Sequence, residues 1–318
     1  MSRLPHPIQY QGSKRNLASR ILACFPADVQ TLYEPFAGSA AISIAAAAEG
    51  AAKDFAINDL NQPLVRLLQG IVENPCVIAE EYAAVWSNQG DELAQSLSHF
   101  NAVRDEFNRT HAPELLLYLL ARCVKGAVRY NRQGLFNQSP DKRRKGTRPE
   151  TMRRNICGVS LLLKGRSRFL SVDYLEAIQN ATASDLVYMD PPYQGVSGER
   201  DGRYLSGLDF ELFAKSLAQL NERDISYIVS YDGKLGDYSY GQILPDSLEL
   251  ERLELVVGRS STATLLGRND VTIESLYLSR ALVARLSKSK PRLGAHKHTA
   301  SLNLFPTSHD LETLEAVC

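Results

Sequence analysis

Short apolar runs alternate with helical patterns at both ends of this chain, and the middle breaks that rhythm. Thr31 to Phe36 reads as a short strand, followed by the turn Ala37-Gly38-Ser39 and an alanine-rich helix. Asp54 to Ile57 reads as a second strand ending at Asn58-Asp59. The next helix carries Pro63 in its first turn and Leu64, Leu67, Leu68 and Ile71 at helical spacing. This order predicts a parallel α/β sheet. Residues 76–127 are dominated by long helical patterns, including leucine-rich Pro113 to Val124, and residues 130–150 turn polar, basic and loop-rich. The α/β pattern then returns. Arg168 to Val172 is a strand ending in Asp173, and Leu186 to Met189 is one ending in Asp190-Pro191-Pro192-Tyr193. A helix around Phe210 to Leu220 leads to a strand over Ile225 to Tyr231. Leu250 to Val257 and Val271 to Leu278 fit an antiparallel hairpin. Past about Ser287 periodicity fades, which predicts a flexible tail.

Composition narrows the class. The 318 residues are 44% hydrophobic and 23% charged, enough for a sizeable core in one large domain or two smaller ones. No apolar run approaches the roughly 18 residues of a membrane span, and Met1 to Pro7 lacks the apolar stretch of a secretory signal. A soluble cytoplasmic protein is the expectation. Cys24, Cys76, Cys123, Cys157 and Cys318 show no metal-ligand spacing and read as reduced thiols, so no metal site is expected. The net charge of zero hides an asymmetry. Residues 122–154 hold eleven basic side chains against Asp141 and Glu150, a local net charge of +9. Such a stretch is either a solvated basic face or a phosphate-binding surface.

The chemistry-bearing signal is Asp190-Pro191-Pro192-Tyr193 at a strand end, where open α/β sheets bind ligands. A Pro-Pro turn there is also ordinary punctuation. Its chemical logic suits one task. The exocyclic amine of adenine is a poor nucleophile because its lone pair is delocalised into the ring. A carboxylate (Asp190) and a backbone carbonyl (Pro191) accepting its two N–H groups localise that pair and stabilise the charge developing on nitrogen. Tyr193 offers a face for stacking a base turned out of the helix.

With these residues the chain resembles the Dam-type, D12 class, alpha group of DNA N6-adenine methyltransferases over roughly residues 7 to 280. The resemblance implies a Rossmann-like, S-adenosylmethionine-dependent methyltransferase fold with a mainly helical target-recognition insert. The catalytic and cofactor-binding domain would occupy 1–75 and 165–285, the recognition domain 76–164 and the tail 286–318. It assigns Asp190, Pro191, Pro192 and Tyr193 to catalysis. Tyr10-Gln11-Gly12-Ser13-Lys14 resembles the segment closing over the methionine part of the cofactor, with Tyr10 packing on it and Lys14 pairing with its carboxylate. Glu34-Pro35-Phe36-Ala37-Gly38-Ser39 resembles the glycine loop beneath the cofactor, with Ala40 where the family has a second glycine. Glu34, Phe36, Gly38, Ser39 and Asp190 join the cofactor set. Asp59 stands where an acid binds ribose hydroxyls or caps a helix. Asp173 resembles the acid near the cofactor's adenine, and it too stands where a helix cap would.

Arg129 to Gln138 fits the family's recognition pattern. The implied DNA contacts are Arg129, Asn131, Arg132, Gly134, Phe136, Asn137 and Gln138, with Lys142, Arg143, Arg144, Lys145 and Arg148 on phosphates. Alternatively Phe136 is a core residue and Asn137 caps a turn. Gln194 to Leu205, with three glycines, reads as a loop that orders over the flipped base. Gly258-Arg259-Ser260-Ser261 resembles a segment near DNA. The implied partner is double-stranded DNA, met by a monomer without metal, alone or alongside a companion restriction endonuclease. Ser301 to Phe305 resembles the peptide that docks on the bacterial sliding clamp, lacking its first Gln. Competing readings are an RNA or protein amino-methyltransferase and a DNA-binding protein without catalysis. Asn at position 190 would suit protein glutamine methylation, and Ser would suit cytosine N4 methylation.

Overall fold

The computed structural model describes residues 4–192, 208–235, 238–240, 242–259 and 271–288. Tyr193, the loop over 194–205, Ser260-Ser261 and the peptide Ser301 to Phe305 lie outside them. Within the described residues the strands are β1 (Val29–Glu34), β2 (Ala52–Asn58), β3 (Ser167–Leu170), β4 (Leu186–Met189), β5 (Tyr227–Leu235), β6 (Tyr238–Tyr240), β7 (Glu251–Arg259) and β8 (Val271–Leu278). They form one sheet in the order β3-β2-β1-β4-β5-β8-β7, with β6 beside β5. β1 to β5 are mutually parallel, and β8 runs antiparallel to both β5 and β7. This is the parallel α/β sheet expected from the order of patterns, in the Rossmann-like form that the resemblance implies. The hairpin of β7 and β8 also forms as expected.

Alternation along the strands makes three layers. Leu32, Phe55, Ile57, Leu186, Tyr188 and Ile228 enter one core. Their neighbours Tyr33, Ala56, Val187, Met189, Tyr227 and Val229 enter the other. The first core is covered by α1 (Ala18–Leu22), α2 (Ala41–Ala48) and α3 (Gln62–Glu73). Five of the eight residues of α2 are alanine, and seven of the eight are buried. The second core is covered by α8 (Tyr174–Ile178) and α9 (Phe210–Glu222), following α7 in the chain. The last helix among the described residues is α10 (Arg280–Lys288).

The middle of the chain adds α4 (Pro75–Ser87), α5 (Leu93–Thr110), α6 (Pro113–Arg122) and α7 (Pro149–Leu163). α6 is buried all round, from Leu115 to Arg122, which marks it as the centre of a helical layer. Tyr82, Phe100, Phe107, Leu116 and Ile156 share the first core with Leu64 and Leu68 of α3. The insert is therefore packed on the sheet domain through one continuous apolar cluster.

Several boundaries differ from the sequence expectation. β1 stops at Glu34, because Pro35 cannot donate to a ladder and the chain turns into the loop before α2. β3 ends at Leu170, where Asn58 takes over the pairing: its amide accepts from Val172 N–H and donates to the Val172 carbonyl. β5 continues to Leu235 because β8 and β6 pair with its far end. Residues 130–150, expected as loop outside the core, contain a small hairpin with a bridge between Tyr130 and Phe136. Phe136 is 1% exposed, because Phe107 and Tyr130 close on it edge to face.

Candidate active site

A cavity of about 290 Å³ opens beyond the carboxyl ends of β1, β2 and β4. β1 stands between β2 and β4, so this is the switch point of the sheet, the expected place for a ligand. The structure brings Tyr10, Lys14, Glu34, Phe36, Gly38, Ser39, Asp59, Asp173, Asp190, Pro191 and Pro192 to its walls. Among the described lining residues five side chains are acids (Glu34, Asp59, Asp173, Asp190 and Asp209) and one, Lys14, is a cation.

The floor is the turn after β1. Gly38 has φ +50°, and a Cβ there would lie 3.0 Å from the Tyr10 ring. Ala40, where the resemblance leads one to expect glycine, also takes the left-handed conformation at φ 53° and is fully buried. The backbone shape of a second glycine is thus kept with a methyl group, at a cost of about 1 kcal/mol. Ser13 Oγ and Ser39 Oγ lie 3.0 Å apart and tie the N-terminal segment to this turn.

Each acid is held differently. Glu34 is 3% exposed and accepts from Ser43 N–H at 3.0 Å and Ser43 Oγ–H at 2.5 Å, so it braces the start of α2. Burial pushes its carboxyl up to about 7, the Ser43 bonds opposing and the charge of Asp190 adding. Asp59 accepts from Gly38 N–H and Asn61 N–H, both at 2.9 Å, and burial raises its carboxyl despite them. The cap of α3 is Asn61, not Asp59. Asp173 caps α8 through Leu175 N–H at 2.9 Å while facing the cavity. Asp190, 19% exposed, pairs with Lys14 Nζ at 2.9 Å, and Glu274 of β8 stands 3.4 Å from the same nitrogen.

The insert reaches this cavity. The Tyr130 side chain lines it, and its hydroxyl donates to Asn61 Oδ1 at 3.2 Å. Gln11 N–H donates to the Gly126 carbonyl at 3.1 Å. Beyond Tyr130 the hairpin turns at Gly134, φ +76°, where Asn131 Oδ1 accepts from Gln133 and Leu135 N–H. Arg129, Arg132 and Asn137 are exposed, and so are Lys142, Arg143, Arg144 and Arg148. Not every cation of the +9 stretch faces solvent alone. Arg122, 2% exposed, donates to the carbonyls of Asp141 and Arg144 and to Ser96 Oγ, so it clamps the basic loop from inside. Lys145 pairs with Asp91 at 2.5 Å, Arg144 with Asp141 at 2.8 Å and Arg153 with Glu80 at 3.8 Å.

Residues 10–257 match the family of D12 class N6 adenine-specific DNA methyltransferases, over most of the chain. The chain belongs to this family. It is 26% identical over 206 residues to the DNA N-6-adenine-methyltransferase of Escherichia phage P1, covering 64% of this chain and 26% of that protein. It is 29% identical over 217 residues to the modification methylase StsI of Streptococcus sanguinis, covering 62% of this chain and 30% of that one. It is 26% identical over 234 residues to the DNA adenine methylase of Haemophilus influenzae, covering 70% and 78%. The chain therefore spans under a third of the first two relatives' own length.

Sequence reasoning missed several residues that build this family member's site. Glu274 lay unremarked in a strand; its signal was an acid on the same strand face as the apolar Leu276 and Leu278. Asn108 of α5 grips Phe136 by both backbone groups, at 3.0 and 2.7 Å, and nothing in the local pattern marks it. Asn58 was visible only as a residue at a strand end, and Asn61, the cap of α3, was not singled out.

Proposed function

We propose that this chain transfers a methyl group from S-adenosylmethionine to N6 of an adenine flipped out of duplex DNA. The observation that carries the reading is Asp190, placed by β4 on the wall of a switch-point cavity beside Lys14. The acid-rich lining suits a donor bearing sulfonium and ammonium charges and ribose hydroxyls. Tyr10 over Gly38 suits close packing on its methionine part, Asp59 its ribose, and Asp173 with Phe36 its adenine. The donor supplies an activated methyl group, so no metal is needed at the leaving group.

Asp190 and the Pro191 carbonyl accept the two N–H bonds of the target amine. The nitrogen lone pair then forms the new N–C bond while the C–S bond breaks, and one amine proton departs to solvent through Asp190. Tyr193 stacks the base. Exposed Arg129, Arg132 and Asn137 and half-buried Gln138 read base edges, while Lys142, Arg143 and Arg148 meet phosphates. Phe136 and Asn131 serve by shaping the hairpin that presents them. The protein acts in the cytoplasm as a monomer, and a companion endonuclease is a coherent setting for a chain similar to the modification methylase StsI.

The test is to express the protein in a methylation-free bacterial host and sequence the genome by a method that detects modified bases. N6-methyladenine at one short motif, absent with Asp190→Ala, is the expected result. Unmodified adenine from a folded protein that binds S-adenosylmethionine would overturn the reading.

A further inference from the structure

Lys14 has two carboxylates beside it where the resemblance calls for the cofactor's one. Its Nζ lies 2.9 Å from Asp190 Oδ1 and 3.4 Å from Glu274 Oε2, with the three side chains 7%, 19% and 16% exposed. Taking an acid out of water costs several kcal/mol unless it is paired. Glu274 nevertheless occupies a strand position whose same-face neighbours Leu276 and Leu278 belong to the first core. It stands across from Gly233 of β5, which has no side chain, just past a register shift between Ser230 and Gly233. The sheet thus makes local room for this carboxylate, and what faces it is Lys14.

We propose that Glu274 is a positioning residue for methyl transfer, acting through Lys14; this rests on the reading of Asp190 as acceptor for the target amine. A lysine ammonium is a compact charge on a flexible stem. With Asp190 as its one anchor it would settle fully on that carboxylate and weaken it as an acceptor for an incoming amine. A second anchor on β8 holds the ammonium between the two acids. Its three protons then reach Asp190, Glu274 and a third acceptor on the cavity side, where the methyl donor's carboxylate would lie. A carboxylate has about four acceptor directions, so Asp190 keeps capacity for the amine while its charge stays stabilised. Glu274 touches neither substrate nor cofactor in this scheme. It sets where Lys14 stands.

The experiment uses the full-length enzyme and duplex DNA carrying the sequence modified in the genome assay. Initial rates are measured for wild type, Glu274→Gln, Lys14→Met and the double variant, with thermal midpoints alongside. Glu274→Gln is expected to lower kcat about tenfold, with KM for the duplex changed by less than about twofold. The double variant should be no slower than Lys14→Met, because a residue acting through another adds nothing once that one is gone. A wild-type kcat in Glu274→Gln, or two losses that multiply, would overturn the role. Should Glu274→Gln not fold, Glu274→Asp carries the test, since it keeps the charge but withdraws it by one methylene; there an unchanged kcat overturns the role and a reduced one supports it. No transfer by wild type would sink the functional reading and this role together, whereas an active wild type beside an unaffected variant sinks this role alone.

Discussion

The Tyr130 hydroxyl donates to Asn61 Oδ1 at 3.2 Å, and the Asn61 backbone N–H donates to Asp59 Oδ1 at 2.9 Å. A residue of the hairpin proposed to read DNA is therefore two hydrogen bonds from the acid proposed to hold the cofactor's ribose. Tyr130→Phe keeps the ring against the cavity and removes the first link, worth about 1 kcal/mol. The expected result is a Kd for S-adenosylmethionine weakened roughly fivefold, read by calorimetry. Unchanged affinity would show that the link carries no weight in cofactor binding.

Gly126 ties the insert to the N-terminal segment. Its φ is +60°, and a Cβ there would lie 2.5 Å from the Gln9 carbonyl oxygen, a backbone atom that cannot swing away. Gly126→Ala should therefore cost roughly 2 kcal/mol or more in stability, combining left-handed strain with a clash. It should also displace the Gln11 bond to Gly126 and raise KM for the methyl donor. Denaturant unfolding and donor-dependent rates check the two parts separately.

The cations of the insert should divide by their partners. Arg143 is exposed, whereas Lys145 pairs with Asp91 and bonds the Gly90 carbonyl. Arg143→Ala should weaken duplex binding across all sequences and reduce the slope of log K against log salt by about 1. Lys145→Ala should change that slope less, because its charge is already met by an acid. Equal slopes for the two variants would contradict the division.

Glu34 makes stability depend on pH with a defined sign. Its carboxyl is raised by burial from 4.5 to about 7 in the folded protein. Between those values the folded state holds the proton more tightly than the unfolded state, so stability falls as pH rises through about 7. Glu34→Gln, which keeps an acceptor for Ser43, should be more stable than wild type above pH 7, by an amount of the order of 3 kcal/mol. The advantage should vanish towards pH 4.5. Thermal melts across that range measure it, and a constant difference at every pH would count against the assigned cause.

The parallel sheet, its order of elements and the cavity wall were legible because their signals are local. An apolar run followed by Gly38 and an alanine-rich stretch, or by Asp190 and two prolines, states both an element and where it ends. Less legible were partners set by distance along the chain. Asp173 was open between a cofactor contact and a cap, and it caps α8 while facing the cavity. The +9 stretch read as one basic surface, but Arg122 is turned inward and Lys145 is met by Asp91, fifty-four positions earlier.

What the sequence determined by itself is therefore the alternation of strands and helices and the identity of the residues at strand ends, since backbone propensity and hydrophobic period act over a few positions. Only the tertiary structure decided which charges meet. Lys14, Asp190 and Glu274 come from the two ends and the middle of the chain, and burial lets their charges act on one another over distances that water would screen. Whether a lysine serves a cofactor, a catalytic acid or a strand is settled by that packing, because a charge taken from water must find its partner wherever the fold has placed one.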